Sequence, residues 1–360
     1  NVHVYPKNTL SGVDKQVTDK PAPGSGQNIT YTITTSIPKV DYPGGARIKR
    51  YEVVDQLDKR INKSTLAPVV KIVSGQQETV LADTTDYTLI TAEGTKHNWA
   101  TIQLTEEGRR KAAEARHNGN GETKVQVTLT ATFDPKSVDL EGVLSNTAGL
   151  IPNDSPNFTW DPNNPGTTTD VPGIPTTPVL SKYGKVNLTK TGTDKLDDKT
   201  KYNGAQFQVY ECTKTASGAT LRDSDTSTPT VDPLTIGGEK TFTTAGQGTV
   251  TINSLRANDY VDGVKKDALT DEDYYCLVET KAPEGYTLQP DPIPFRVLAT
   301  DAEAKVPTEV TVTDVPKNAG FRLPLTGANG VIFLTVAGAL LVVGGAVIAY
   351  ANKRRHAAKH

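Results

Sequence analysis

The residues in this chain that could do chemistry fall into a few groups. Glu279 sits in the stretch YYCLVETKAPEGYTL, residues 274–288, two positions after Leu277. On a strand that spacing places both side chains on one face, so the carboxylate is expected to face the core. A buried lone carboxylate is costly and needs a partner or a proton. Cys212 and Cys276 form an even pair in strand-like contexts, FQVYECTK and DYYCLVET. In an exported chain such a pair favours a disulfide over two buried thiols. Leu323, Pro324, Leu325, Thr326 and Gly327 form an extended segment, because Pro324 has no N–H and disfavours helix at Leu323. The histidines, His3, His97, His117, His356 and His360, are scattered without metal-ligand spacing, so no metal is expected. No phosphate-cradling glycine loop or serine elbow is present, and no cofactor is expected. The acidic clusters at 194–198 and 271–273 lack an EF-hand pattern and read as solvated loop charge rather than a calcium site.

The elements that must position these groups are strands. Segments such as QNITYTITTSI, ARIKRYEVVDQL, APVVKIVSG, WATIQLT and TKVQVTLTATF recur through the first half. They are rich in Val, Ile, Thr and Tyr, and most alternate apolar with polar. One segment differs. Thr105 can cap a short helix with Glu106 and Glu107 in its first turn, and Asn118-Gly119 can stop it. From Ile151 to Pro178 the pattern dissolves into Pro, Asn, Asp, Thr and Gly, as in a linker or long loops. Strands then resume with KVNLTKTG, GAQFQVYECT, GTVTINSL, DYYCLVET, PIPFRVLA and PTEVTVTDV. The expected fold class is all-β: two tandem antiparallel sandwiches of the immunoglobulin-like size class, spanning 1–172 (linker 151–172) and 173–320.

The C-terminal end adds a topology. An apolar run, 331–351, is about 20 residues long and sufficient for one transmembrane helix. The basic tail, 352–360, with Lys353, Arg354 and Arg355, prefers the cytoplasmic side. The remainder is therefore expected outside the cell. With 360 residues and a net charge of −2, neither a nucleic-acid footprint nor an acidic tail dominates. An exported chain needs a leader and none opens this one, so a fragment or a processed form is expected.

Taken together, residues 323–327, the apolar run and the basic tail resemble the sortase sorting signal of Gram-positive surface proteins. That resemblance implies cleavage between Thr326 and Gly327 by a membrane cysteine transpeptidase, which holds Thr326 as a thioester and passes it to an amine. The second block resembles the collagen-adhesin B-type (CnaB) domain, and ETKAPEGY within it resembles the pilin E-box. At the other end Val4, Tyr5, Pro6, Lys7 and Asn8, residues 4–8, resemble the pilin motif. The set resembles the major shaft pilins of Gram-positive sortase-assembled pili, SpaA/FimA-like, with an N-terminal part missing.

What that family implies is specific. Lys7 would be the inter-subunit nucleophile and Thr326 its acylating partner. In the second block Lys190 on the first strand and Asn318 after the last would join as an intramolecular isopeptide, with Glu279 as the catalytic acid. In the first block, of the CnaA-type pilin middle domain, Lys15 and Asn146 would join likewise. Asp55, which shares a face with Tyr51 and Val53, is the better-placed acid there, while Asp58 is assigned to the following turn. The implied partners are copies of the chain itself, a pilin-type (class C) sortase, the housekeeping sortase and peptidoglycan, and minor and tip pilins. A host surface ligand is expected but unidentified. The implied place is a cell-wall-anchored pilus reached through a transient membrane precursor. A monomeric wall-anchored adhesin is the alternative, and no nucleophile–base pair supports a surface hydrolase.

Overall fold

The computed structural model describes residues 12–19, 28–43, 48–119, 122–132, 142–152, 159–222 and 231–317. The 4–8 motif with Lys7, Asn318, residues 323–327, the expected membrane helix at 331–351 and the tail at 352–360 lie outside them. Among the described residues no helix is long and apolar enough to cross a membrane.

Period-two patterning builds the first half. In strands β1 (Val13–Thr18) and β2 (Asn28–Ser36), Lys15, Val17, Ile29, Tyr31 and Ile33 point inward while their neighbours are half-buried or exposed. Strands β3 (Glu52–Leu57), β4 (Ala67–Ser74), β5 (Gln77–Val80), β6 (Tyr87–Glu93) and β7 (Asn98–Leu104) follow. Helix α1 (Glu106–Asn118), β8 (Lys124–Thr132) and β9 (Gly142–Ile151) complete this half. One antiparallel sheet runs β1-β2-β8-β4-β5, and a second runs β9-β3-β7-β6. Their facing sides share one apolar core around Tyr31, Ile33, Val53, Ile102, Val127 and Leu129. Helix α1 matches the expected short helix. The Thr105 hydroxyl accepts the Gly108 N–H at 3.2 Å, and Ala112 and Ala113 are buried. Gly108 permits the close approach, because a Cβ there would lie 1.9 Å from the Asp86 carbonyl.

Residues 159–178, the described part of the Pro- and Asn-rich stretch after β9, are laid over protein. Strand β3 is buried on both faces, and Val54, Trp99 and Ile151 lie beneath Trp160 and Val171. The rings of Trp99 and Trp160 are 5.1 Å apart. Gln56 Nε2 donates to the Thr169 carbonyl at 2.6 Å, and the Thr176 N–H donates to that of Ala148 at 2.8 Å. Composition reads this stretch as a connector because few of its side chains are apolar, but one tryptophan and backbone hydrogen bonds suffice to dock it.

The second half contains β10 (Ile174–Pro175), β11 (Val179–Gly192), β12 (Gln206–Thr215), β13 (Gly218–Arg222), β14 (Phe242–Thr243) and β15 (Thr249–Arg256). It continues through β16 (Tyr260–Val261), β17 (Val264–Lys265), β18 (Tyr274–Lys281), β19 (Ile293–Phe295), helix α2 (Ala299–Ala304) and β20 (Thr308–Asp314). One sheet is ordered β13-β12-β18-β19. Opposite it, β11 pairs antiparallel with β15 and parallel with β20. The parallel pair departs from the purely antiparallel expectation. The long excursion between the first and last strands of this half brings the chain back to enter β20 from the same end as β11. The core holds Val186, Leu188, Phe207, Val209, Leu277, Phe295 and Val312.

Strand β11 belongs to both halves. Val179–Tyr183 pairs with Asn146–Gly142 of β9, and after a register shift between Gly184 and Val186 the same strand pairs with β20. The protein is thus mostly β, with several sheets and one strand running from the first core into the second.

Replacing Trp160 by Ala uncovers Trp99 and should cost about 2 kcal/mol, below the value for a fully buried tryptophan. Amide exchange across 159–178 should accelerate while the core of β2 and β8 stays protected. Unchanged exchange in 159–178 would show that Trp160 does not hold the segment.

Candidate crosslinking sites

Two buried lysines mark the two cores. Alternation along β1 turns Lys15 inward, where its side chain is fully buried. Its Nζ donates to Asp55 Oδ1 at 2.6 Å and sits 4.6 Å from the centre of the Tyr31 ring. Asp55 is supplied by β3, and the adjacent β9 supplies Asn146, also buried. The Asn146 amide lies near Asp55 and Tyr31 but makes no hydrogen bond of ordinary geometry. Burial lowers the Lys15 pKa, against the opposing pull of Asp55, and raises that of Asp55, against Lys15. Both shifts favour a neutral amine beside a protonated acid. Asp58 is engaged elsewhere: its carboxylate accepts from Arg60 Nε and Nη2, both at 2.8 Å.

The second site is assembled from three strands. Lys190 comes from β11, Glu279 from β18 and Asp314 from the end of β20, and all three side chains are fully buried. Lys190 Nζ is 3.2 Å from Glu279 Oε1 and in direct contact with Asp314 Oδ1. The Gln289 N–H donates to Glu279 Oε2 at 2.7 Å and fixes that carboxyl. Burial is the chief cause that pushes Glu279 up to about 7, and it raises Asp314 as well. Asp314 is the group that sequence reading passed over. Its signal was present, since the alternation Val310, Val312, Asp314 puts it on the core face of its strand. Asn318, the expected partner of Lys190, lies outside the described residues.

The ETKAPEGY turn is fastened to the segment that follows β20. Gly285 has φ +86°, and its carbonyl accepts the Lys317 N–H at 2.8 Å. Tyr286 donates its hydroxyl to Asp194 Oδ2 at 2.6 Å. Asp194 also accepts from Tyr202, and Asp198 accepts from the Thr200 N–H, so these acids are occupied within the fold. Among the described residues no group of three or more His, Cys, Asp or Glu is placed to hold a metal. Cys212 and Cys276, on the paired strands β12 and β18, are joined as a disulfide with Cα atoms 5.8 Å apart.

Comparison with known proteins places this geometry. Residues 315–358 match the LPXTG cell wall anchor motif, and 184–315 match the SpaA prealbumin-like fold domain. The chain is 87% identical over 360 residues to fimbrial subunit type 1 of Actinomyces viscosus, covering 100% of this chain and 67% of that protein. It is 33% identical over 367 residues to fimbrial subunit type 2 of Actinomyces naeslundii, covering 99% and 63%. The solved fimbrial protein FimP of Actinomyces oris superposes with a TM-score of 0.80 at 86% identity, over 88% of this chain and 70% of that one. The chain belongs to the Gram-positive fimbrial subunits, the major pilins that carry an LPXTG anchor. It is a non-enzymatic structural subunit of a sortase-assembled pilus on the cell surface.

The raised Glu279 pKa carries a pH dependence. In Asp314→Ala the raising influence of Asp314 on Glu279 is lost, but burial, the largest cause, still holds the Glu279 pKa above 4.5, so the folded chain keeps a proton that the unfolded chain releases near that value. Proton binding in excess by the folded state means that stability falls as pH rises from 4.5 through the raised folded-state pKa. Urea midpoints across this window should decline, and adding Glu279→Gln should flatten the decline. A slope that persists in the double variant would exclude Glu279 as its source.

Proposed function

We propose that copies of this chain are joined by a pilin-type, class C sortase through an amide between Lys7 of one subunit and Thr326 of another. Each core is an immunoglobulin-like sandwich, CnaA-type across the first block and CnaB-type from residue 173 to 320, and each is locked by an internal amide. The finished fibre is transferred to peptidoglycan by the housekeeping sortase and carries minor and tip pilins, in support of adhesion. The observation that carries this reading is a fully buried lysine in contact with a fully buried carboxyl in each core.

In the first core a neutral Lys15 amine attacks the Asn146 side-chain carbonyl. The Nζ–Cγ bond forms, the Cγ–Nδ2 bond breaks, and Asp55 passes the proton that lets ammonia leave. In the second core the acyl group touching Lys190 is Asp314 rather than an amide. Attack there forms Nζ–Cγ, breaks Cγ–OH and releases water, with Glu279 relaying the proton. The alternative acyl donor, Asn318, would release ammonia.

Intact mass separates these outcomes. The soluble chain should be lighter than its sequence by one ammonia and one water, besides the disulfide hydrogens. Asp314→Ala should restore the water, Asp314→Asn should turn that loss into ammonia, and Asn318→Ala should change neither loss. Two lost ammonias would instead assign Asn318, and an unmodified mass would defeat both bonds. On cells, Lys7→Ala should abolish the high-mass ladders that sortase produces. Persistence of the ladders would move the linkage to another lysine.

A further inference from the structure

An internal amide needs an amine, an acyl group and a proton carrier, and the first core brings Lys15, Asn146 and Asp55 together for these parts. One requirement stays unmet. Attack on an amide pushes the carbonyl electron pair onto oxygen, and a buried oxyanion needs a hydrogen-bond donor. Asp55 has work for both of its oxygens. Oδ1 accepts from Lys15 Nζ at 2.6 Å. Oδ2 is buried without a hydrogen bond, beside the Asn146 amide, and is the oxygen left to serve the nitrogen that must leave. Both polar atoms of the Asn146 amide are likewise buried without a hydrogen bond. We infer that the Tyr31 hydroxyl is the missing donor and a further catalytic residue of the first core, an inference that rests on the Lys15–Asn146 amide proposed above.

The strands place Tyr31 against both reacting groups. On the inner face of one sheet, Lys15 of β1 pairs with Ile33 and Val17 with Tyr31 of β2, so Lys15 and Tyr31 are diagonal neighbours. Lys15 Nζ lies 4.6 Å from the centre of the Tyr31 ring. Asp55 and Asn146 come from β3 and β9 of the facing sheet, and the Asn146 amide lies beside the tyrosine across the core. Tyr31 is 1% exposed. Burial holds its phenol well above the ordinary tyrosine range, so the hydroxyl keeps its proton and donates rather than acting as a base. The step balances. Nζ–Cγ forms as the carbonyl π pair moves onto Oδ1, where the Tyr31 O–H donates to it. Asp55 takes a proton from Nζ and gives one to Nδ2. Cγ–Nδ2 then breaks, ammonia leaves and the carbonyl re-forms, with Tyr31 unchanged. The second core supplies a contrast. There the ring beside Lys190, 5.9 Å from Nζ, is Phe207, which has no hydroxyl. Its acyl candidate Asp314 is a carboxyl whose pKa burial raises, so it can bring a proton of its own. A tyrosine accompanies the amide, and a phenylalanine accompanies the acid.

Pulse-labelled full chain, chased and digested at intervals, tests this, with each crosslink followed by mass as its own branched peptide. Tyr31→Phe keeps the ring over Lys15 and removes only the hydroxyl. The Lys15–Asn146 peptide should then appear about 100-fold more slowly than in the unaltered chain, as for loss of one oxyanion donor. The Lys190–Asp314 peptide of the same molecules should appear at its usual rate. Fluorotyrosine placed at position 31 alone keeps the hydroxyl and makes it a stronger donor, so it should give at least the original rate. A Phe variant as fast as the unaltered chain would overturn the inference. A fluorotyrosine form as slow as the Phe variant would overturn it too, because the defect would then lie in packing and not in the hydroxyl. Absence of the Lys15–Asn146 peptide from the unaltered chain at every interval is a different result, and would sink the crosslink reading itself.

Discussion

The structure depends on the burial of a lysine among apolar strands with a carboxyl against it. An isolated ammonium in such a place is untenable, and an ion pair there is held at a large desolvation cost. The protein tolerates two of them, Lys15 with Asp55 and Lys190 with Glu279 and Asp314. In both, burial raises the carboxyl pKa, and in the first it also lowers that of Lys15, which moves that pair from an ion pair toward a neutral amine and a neutral acid. A neutral amine is a nucleophile. The destabilised ground state and the reactive one are thus the same arrangement, and conversion of the pair to an amide removes the buried charge altogether.

Placement of the lysines gives that chemistry its mechanical meaning. Each lies on the first strand of its core, and each acyl candidate lies on the last strand of the same core. A bond there closes a loop around nearly the whole unit. By the chain-entropy argument used for disulfides, such a loop contributes about 4–5 kcal/mol. The greater effect is geometric, because a closed loop cannot lengthen under tension. The disulfide between β12 and β18 ties the opposite sheet of the second core, away from the lysine strand.

The shared strand β11 connects the two cores without a free tether. Its first residues extend the β9-β3 sheet, and its later residues hold Lys190 between β15 and β20. A joint made of sheet transmits orientation as well as force, which suits a subunit that must stack end on end. Asp19 and Asp262, each accepting the other's backbone N–H, tie the two halves together beside the same joint.

Much of this was legible in the order of residues. Period-two alternation alone turns Glu279 inward beside Leu277, and Asp55 beside Val53. Thr105, its acidic first turn and Gly119 delimit α1 before any fold is known. The anchor signal at 315–358 is a linear message, and so it is legible in the order of residues alone. Three features were decided by tertiary structure. Asp314 met Lys190 because β20 returns parallel to β11, a register that no local pattern encodes. The stretch after β9 docked because Trp160 found Trp99, a contact between residues distant in sequence. The joint arose because one strand was long enough to serve two sheets. Local periodicity says which side of a strand is buried. Which strand lies opposite is set by long-range packing, and reaction partners are chosen there.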